Sequence, residues 1–128
     1  MRTAGWTTDE LERLGGAEEL RVASLRQDGT QRPYVRVWVV RAGEHLYIRS
    51  AYGPENPWFR RAMASGSGRV KAAGLEPAVS FERAGDEVMA AVDVAYHAKY
   101  DRYGARIVST VVGPDTWPLT LRVLPRQE

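Results

Sequence analysis

Most of this chain alternates between apolar and polar positions, and the alternation is broken by a few stretches of helical spacing. Leu20, Val22 and Ser24 alternate with Arg21, Ala23 and Leu25, the two-residue period of a strand, and Gln27-Asp28-Gly29-Thr30 follows as a turn. Tyr34 to Ala42 is rich in β-branched and aromatic residues. Gly43-Glu44 fits a two-residue hairpin turn, and His45 to Ser50 forms the return strand. In that register Ala42 opposes His45, Val40 opposes Tyr47, Trp38 opposes Arg49 and Val37 opposes Ser50. One face then carries Val35, Val37, Val39, Leu46 and Ile48 as core. The other carries Tyr34, Arg36, Trp38, Tyr47 and Arg49, an aromatic and cationic surface. Arg69 to Ala73 and Ala78 to Arg83 read as strands paired around Gly74. Leu119, Leu121 and Val123 alternate in a closing strand that Pro125 ends.

Helices fall between these runs. Thr7-Thr8-Asp9-Glu10-Leu11-Glu12 offers an N-cap with acids in the first turn, for a short helix running to about Leu14 and ended by Gly15-Gly16. Asn56 as N-cap and Pro57 as first helical residue open a two-turn helix through Ala64, stopped by Gly66 and Gly68. Asp86 to Tyr103 carries Val88, Val92, Ala95, Lys99 and Tyr103 near helical spacing. Ile107 to Val112 fits strand or helix equally. About six strands with three or four helices predict a mainly β, α+β fold: a small antiparallel barrel with helices packed on it, formed as one domain over residues 1–128.

Composition narrows the chemistry. The chain has 128 residues and is 44% hydrophobic, enough for a core without covalent staples. It has no cysteine, which excludes disulfides, a thiolate nucleophile and a cysteine-ligated metal. With only His45 and His97, a histidine metal site is not expected. No apolar run is long enough to span a bilayer, and Met1 to Trp6 turns polar at once, so the expected location is cytoplasmic. Net charge is +2, carried almost wholly by arginine, since Lys71 and Lys99 are the only lysines. Arginine forms bidentate bonds to phosphate and carboxylate, so the positions of these residues matter more than their number.

Those positions converge on the segment Tyr47 to Arg61. A helix starting at Pro57 aims its free N–H groups and positive dipole end at the Gly53 loop. Arg49 leaves the strand just before that loop, and Arg60 and Arg61 lie in the helix's first turns. Trp38, Tyr52 and Trp58 offer flat apolar surfaces. A flat ring with an anionic tail, as in a flavin, suits this set. The simpler reading makes the arginine stems cover apolar strand surface, with Trp58 and Phe59 as core contacts. Tyr96, Lys99, Tyr100 and Tyr103 share one side of the later helix, either as a lid with a tyrosine proton donor or as a packed amphipathic face. His97 points elsewhere, to solvent.

Leu46 to Gly53, then Asn56-Pro57-Trp58-Phe59-Arg60-Arg61-Ala62 and Gly68-Arg69-Val70-Lys71, resemble the central stretch of the flavin-binding split-barrel superfamily (pyridoxamine-phosphate-oxidase-like). They are most similar to its deazaflavin-dependent nitroreductase branch. The whole chain, with Asp93 to Tyr100 and Leu119 to Val123, also resembles an uncharacterised domain-of-unknown-function family assigned to that superfamily. The resemblance implies a six-stranded split barrel, usually a homodimer, holding FMN or a reduced deazaflavin coenzyme in a groove. Carried over by position, Arg36, Arg49 and Ser50 face the cofactor, Ala51, Tyr52 and Gly53 follow its ring or tail, and Trp58 and Arg61 sit beside its phosphate end, with Trp38 as a further surface for its ring. Asp28 departs from the branch's basic phosphate loop, which leaves Arg49 and Arg61 to supply that charge. The expected activity is hydride transfer to a small organic acceptor, with the cofactor doing the chemistry. The alternatives are a non-enzymatic carrier of a heterocyclic ligand and a single-strand nucleic-acid binder; near-balanced charge argues against the second.

Overall fold

The computed structural model describes residues 5–126, so the leading residues read above for a leader segment lie partly outside it. In chain order it runs α1 (Thr8–Gly16), β1 (Leu20–Ser24), β2 (Val35–Val37), β3 (Val40–Ala42), β4 (His45–Arg49) and α2 (Pro57–Ser65). It continues with β5 (Ser67–Lys71), β6 (Ala78–Arg83), α3 (Met89–Tyr100), α4 (Ala105–Val108) and β7 (Thr120–Pro125), with 3-10 turns at Asp86–Val88, Asp101–Tyr103 and Pro114–Leu119. All pairings are antiparallel, in the order β2-β1-β5-β6-β7-β4-β3.

The two ends of that order are successive pieces of one chain segment. Trp38 and Val39 separate β2 from β3, so a single bent strand closes the sheet on itself, and the seven strands make the expected six-stranded barrel with one strand broken. The hairpin register holds from Ala42↔His45 to Val40↔Tyr47. Beyond the bend the predicted pairing fails: Val37 faces Leu20 rather than Ser50, and Trp38 does not pair with Arg49. The cause lies in α3. Tyr100 Oη accepts the Val39 N–H at 3.1 Å and lies 3.0 Å from the carbonyls of Val39 and Glu18, to one of which it donates. Lys99 Nζ donates to the Val39 carbonyl at 2.7 Å and to Gly15 and Ala17 at the end of α1. The helix thereby satisfies the backbone groups that the bend removes from the ladder.

Two cores follow. Inside the barrel, Leu20, Val22, Leu46, Ile48, Val70, Leu121 and Val123 pack with Leu11 and Leu14 of α1 and with Trp58, Phe59 and Ala62 of α2. Outside it, α3 lies across β3 and seals Val40, Tyr47, Val92, Tyr96, Tyr100, Val108 and Val111. The outer face of β4 is therefore a second core rather than an open surface. Tyr47 and Arg49 are buried there, while Val35, assigned to the core by alternation, is 38% exposed.

Local signals explain the helix ends. Thr7 and Glu10 form a reciprocal capping box at α1, which runs two residues past Leu14 and ends at Gly16. Asn56 occupies the N-cap position of α2 without capping it: its side-chain amide donates to the Ala51 carbonyl at 3.3 Å. Gly66, at φ 71, ends α2. Gly68 is not a helix stop. It lies inside β5, where a Cβ would stand 2.1 Å from the Ala23 carbonyl oxygen. The predicted strand Arg69 to Ala73 starts two residues earlier, at Ser67. The Asp86 to Tyr103 helix is α3 flanked by 3-10 turns, and Ile107 to Val112 resolves into the end of α4 and turns.

Candidate functional site

β2, the loop after β4, and α2 meet around a pocket of about 310 Å³. Arg36, Trp38, Arg49, Ala51, Tyr52 and Trp58 all line it, so the structure brings together six of the candidate site residues named in the sequence. Trp38 stacks on Tyr100, with ring centroids 4.0 Å apart and planes at 5°, and the rest of its surface contributes to the pocket wall. Trp58 is nearly buried and packs edge-on against Phe59. Tyr52 is the opposite case: it is 80% exposed at φ 65, a left-handed conformation that costs a tyrosine on the order of 1 kcal/mol. The loop holds it there. Ser50 Oγ donates to the Gly53 carbonyl at 2.6 Å, and Ser50 N–H donates to the Leu119 carbonyl. Ser50 is thus buried beneath the loop and shapes it, and Gly53 faces a neighbouring depression with Thr110, Gly113 and Thr116.

Arg49 also reaches the pocket wall, but its donors are engaged inside the protein. Nε donates to Thr120 Oγ1 at 2.8 Å, Nη1 to the Asp93 carboxylate and the Val111 carbonyl, and Nη2 toward Met89. Its side chain has no solvent exposure, and its guanidinium lies 5.4 Å from the centre of the Tyr96 ring. Asp93 additionally accepts from Gly113 N–H and Trp117 Nε1. The pair therefore fixes the segment Thr110 to Gly113, which closes one side of the pocket. It serves as a hub for that wall rather than as a free cation.

Free positive charge lies on the other side of Trp58. A crevice of about 10 Å³ lies between the pocket and an open basin of about 960 Å³, sharing Val35 and Trp58 with the pocket and Arg32 and Arg61 with the basin. Arg26, Arg32, Arg60 and Arg61 border that basin, with Gln27, Ser65 and Ser67. Arg60 lies 3.7 Å from Glu55, and Arg26 Nη1 donates to Thr30 Oγ1 and the Gln31 carbonyl. Among the described residues, Arg32 and Arg61 have no side-chain partner. Asp28 is bonded within its own turn. Its carboxylate accepts Thr30 Oγ1–H at 2.7 Å and Thr30 N–H at 3.0 Å, closing the turn, and the same two bonds hold its pKa below the usual carboxylate value. It does not line the basin.

Tyr96 and Tyr100 do not form a lid. Both are fully buried, neither lines the pocket, and burial raises both hydroxyls well above the ordinary tyrosine pKa. His97 is exposed and pairs with Asp101 at 2.8 Å. Sequence reasoning missed Arg26 and Arg32, which β1 and its turn carry to the start of α2. It also missed Glu19, Ile107, Thr110 and Val111 in the pocket wall. No local pattern marks these residues, because their placement depends on how the bent strand closes the barrel.

A closed six-stranded antiparallel barrel, with a groove between its bent strand and the helix after β4, is the split-barrel fold of flavin-binding proteins. Two solved structures share it. A FAD-binding protein from Mesorhizobium loti superposes with a TM-score of 0.57 at 19% identity, covering 98% of this chain and 93% of that one. A protein described as an F420 reductase gives 0.57 at 16% identity, covering 91% and 90%. Residues 10–123 match the family described as "Uncharacterized protein conserved in bacteria (DUF2255)", and the chain belongs to that family. No curated protein matches the sequence.

Proposed function

We propose that the pocket and basin together hold a flavin-type cofactor, FMN or FAD or a deazaflavin, and that the protein is an oxidoreductase acting on a small organic acceptor. The observation that carries this is the adjacency of the two cavities: an aromatic pocket of ligand size and an arginine basin lie on either side of Trp58, with Arg32 and Arg61 between them. The residues fit such a group. Trp38, Tyr52 and Trp58 supply apolar surface for a ring. Arg32 and Arg61 supply unpaired guanidinium forks for an anionic tail. With the side chain of Asn56 turned toward Ala51, no side chain caps the first N–H groups of α2 beside the pocket. The two split-barrel neighbours, named for FAD binding and for F420, support the same reading.

When bound in reduced form, such a cofactor supplies a hydride, and solvent supplies the proton that completes reduction of the acceptor. The chain's own part is binding, orientation and shielding. Arg32 and Arg61 fix the tail, the loop built on Ser50 and Gly53 presents Tyr52 at the rim, and the Arg49–Asp93 hub keeps the Thr110–Val111 wall in place against water. Val35, Tyr52 and Ile107 are exposed apolar residues around the same pocket, and burying them favours a second copy of the chain beside it, as a homodimer. A cytoplasmic, single-domain protein fits this role.

Anaerobic fluorescence titration with FMN, FAD and F420 tests the reading. Micromolar binding of at least one is expected, weakened about tenfold by Arg61→Gln and again by Arg32→Gln, the loss expected for one charge-assisted contact each. Failure of all three to bind in the micromolar range overturns it. Tight binding with no turnover of nitroaromatic, enone or quinone acceptors reassigns the protein as a carrier.

A further inference from the structure

A second cationic feature lies on the outer face of the barrel, away from the arginine basin. In the ladder Arg36 pairs directly with Arg21, and Arg21 pairs directly with Lys71, so three positive side chains stand in one row across β2, β1 and β5. Directly opposed like charges destabilise a sheet, and with strands about 4.8 Å apart the row spans about 10 Å. All three side chains are exposed, and among the described residues none has an ion pair or a side-chain hydrogen bond. Nearby carboxylates do not neutralise them. Glu76 accepts from Tyr34, and Glu18 is held by Arg102 and Tyr103. Glu19, at the rim, and Glu76 have no ion pair among the described residues, and neither reaches the row's side chains through a salt bridge or hydrogen bond.

The row also has a shaped floor. Arg21, Arg36 and Lys71 line a depression of about 440 Å³ with the loop Ala72 to Gly74, and Glu18 and Glu19 stand at its edge. That loop is fixed by the Ala72↔Leu75 bridge and by Arg13, which donates to the Ala73 carbonyl at 2.8 Å. The depression shares Arg36 and Glu19 with the ring pocket.

We infer that Arg36, Arg21 and Lys71 form a binding site for a small polyanion, a molecule bearing two or more carboxylate or phosphate groups. Because Arg36 also borders the ring pocket, the occupant is the charged end of the acceptor substrate. This assignment of role rests on the cofactor reading above; the anion site itself does not. Three unpaired cations in register on a rigid floor carry a folding cost that a bound polyanion relieves.

NMR titration of the uniformly 15N-labelled wild-type protein, with pyrophosphate and separately with citrate, tests the site without any cofactor. Saturable shifts at the amides of Arg21, Arg36, Lys71 and Ala72 to Gly74 are expected, and the better-binding probe distinguishes phosphate from carboxylate. Arg21→Gln and Lys71→Gln should each weaken binding at least about tenfold, whereas Lys71→Arg retains it. Absent shifts, or shifts confined to Arg26, Arg32 and Arg61, overturn the site, and this wild-type result stands whether or not a variant folds. Repeating the titration with saturating cofactor tests the role. Undiminished binding at the row supports a second molecule there, and competition overturns it. Row binding without any flavin binding leaves the anion site standing and removes the cofactor reading.

Discussion

Tyr52 illustrates how much of the candidate site is set by single residues in unfavourable states. An exposed tyrosine at φ 65 contributes nothing evident to stability, yet the loop keeps it at the pocket rim. Asparagine tolerates that conformation better. Tyr52→Asn should therefore raise stability by about 0.5–1 kcal/mol in urea denaturation while weakening cofactor binding; a variant that loses both stability and binding contradicts this account. Arg49 is the converse. Sequence alone places it at the ligand, because an arginine on a strand facing aromatic residues looks solvent-facing. Only the packing of α3 reveals that Asp93, Thr120 and Val111 use its donors. Removing one partner of such a pair leaves a buried charge unmatched. Asp93→Ala should cost about 3–5 kcal/mol by chemical denaturation and increase amide exchange across Thr110 to Gly113. A cost below about 1 kcal/mol, the range of a surface pair, would contradict the hub.

At the scale of elements, the chain announces most of its structure. The N-cap and acidic first turn within Thr7 to Glu12, the Gly43-Glu44 turn, Pro57 at the start of α2 and the strand patterns of β1, β6 and β7 are local chemistry, and each element formed near where that chemistry put it. Three features were not legible. The break at Trp38–Val39 has no breaker residue; it exists because Tyr100 and Lys99, some 60 positions away, bond to Val39. Gly68 looked like a stop but is needed for the close approach of β1. The side chain of Asn56 found the Ala51 carbonyl instead of its own helix. Lys99 makes a pH-dependent prediction. Burial lowers its pKa from the ordinary 10.5 to about 8, so between those values the folded protein binds fewer protons than the unfolded chain. Stability rises with pH wherever the unfolded state binds more protons, so this lysine contributes increasing stability from about pH 8 to 10.5. Urea denaturation at both ends of the window should show a smaller rise in Lys99→Met than in wild type. Equal slopes would contradict the assignment.

At the scale of the molecule, the barrel and the groove have one origin. Bending one strand closes the sheet and sets Arg36 and Trp38 beside the loop after β4. The same closure brings Arg26 and Arg32 to α2, so a basic end exists although Asp28 occupies the turn where a base was expected. The aromatic residues near Gly53, and Arg60 and Arg61 of the basic end, were therefore visible in the sequence, while Arg26 and Arg32 were not, because they come from a distant segment. The central claim is that one ligand spans both ends. The most direct measurement is a crystal structure of the protein with its tightest-binding flavin-type cofactor. The account predicts the ring in the pocket beside Trp38, Tyr52 and Trp58, with the anionic tail passing between Arg32 and Arg61 into the basin. A ring bound elsewhere, or a tail directed away from that cleft, would contradict it.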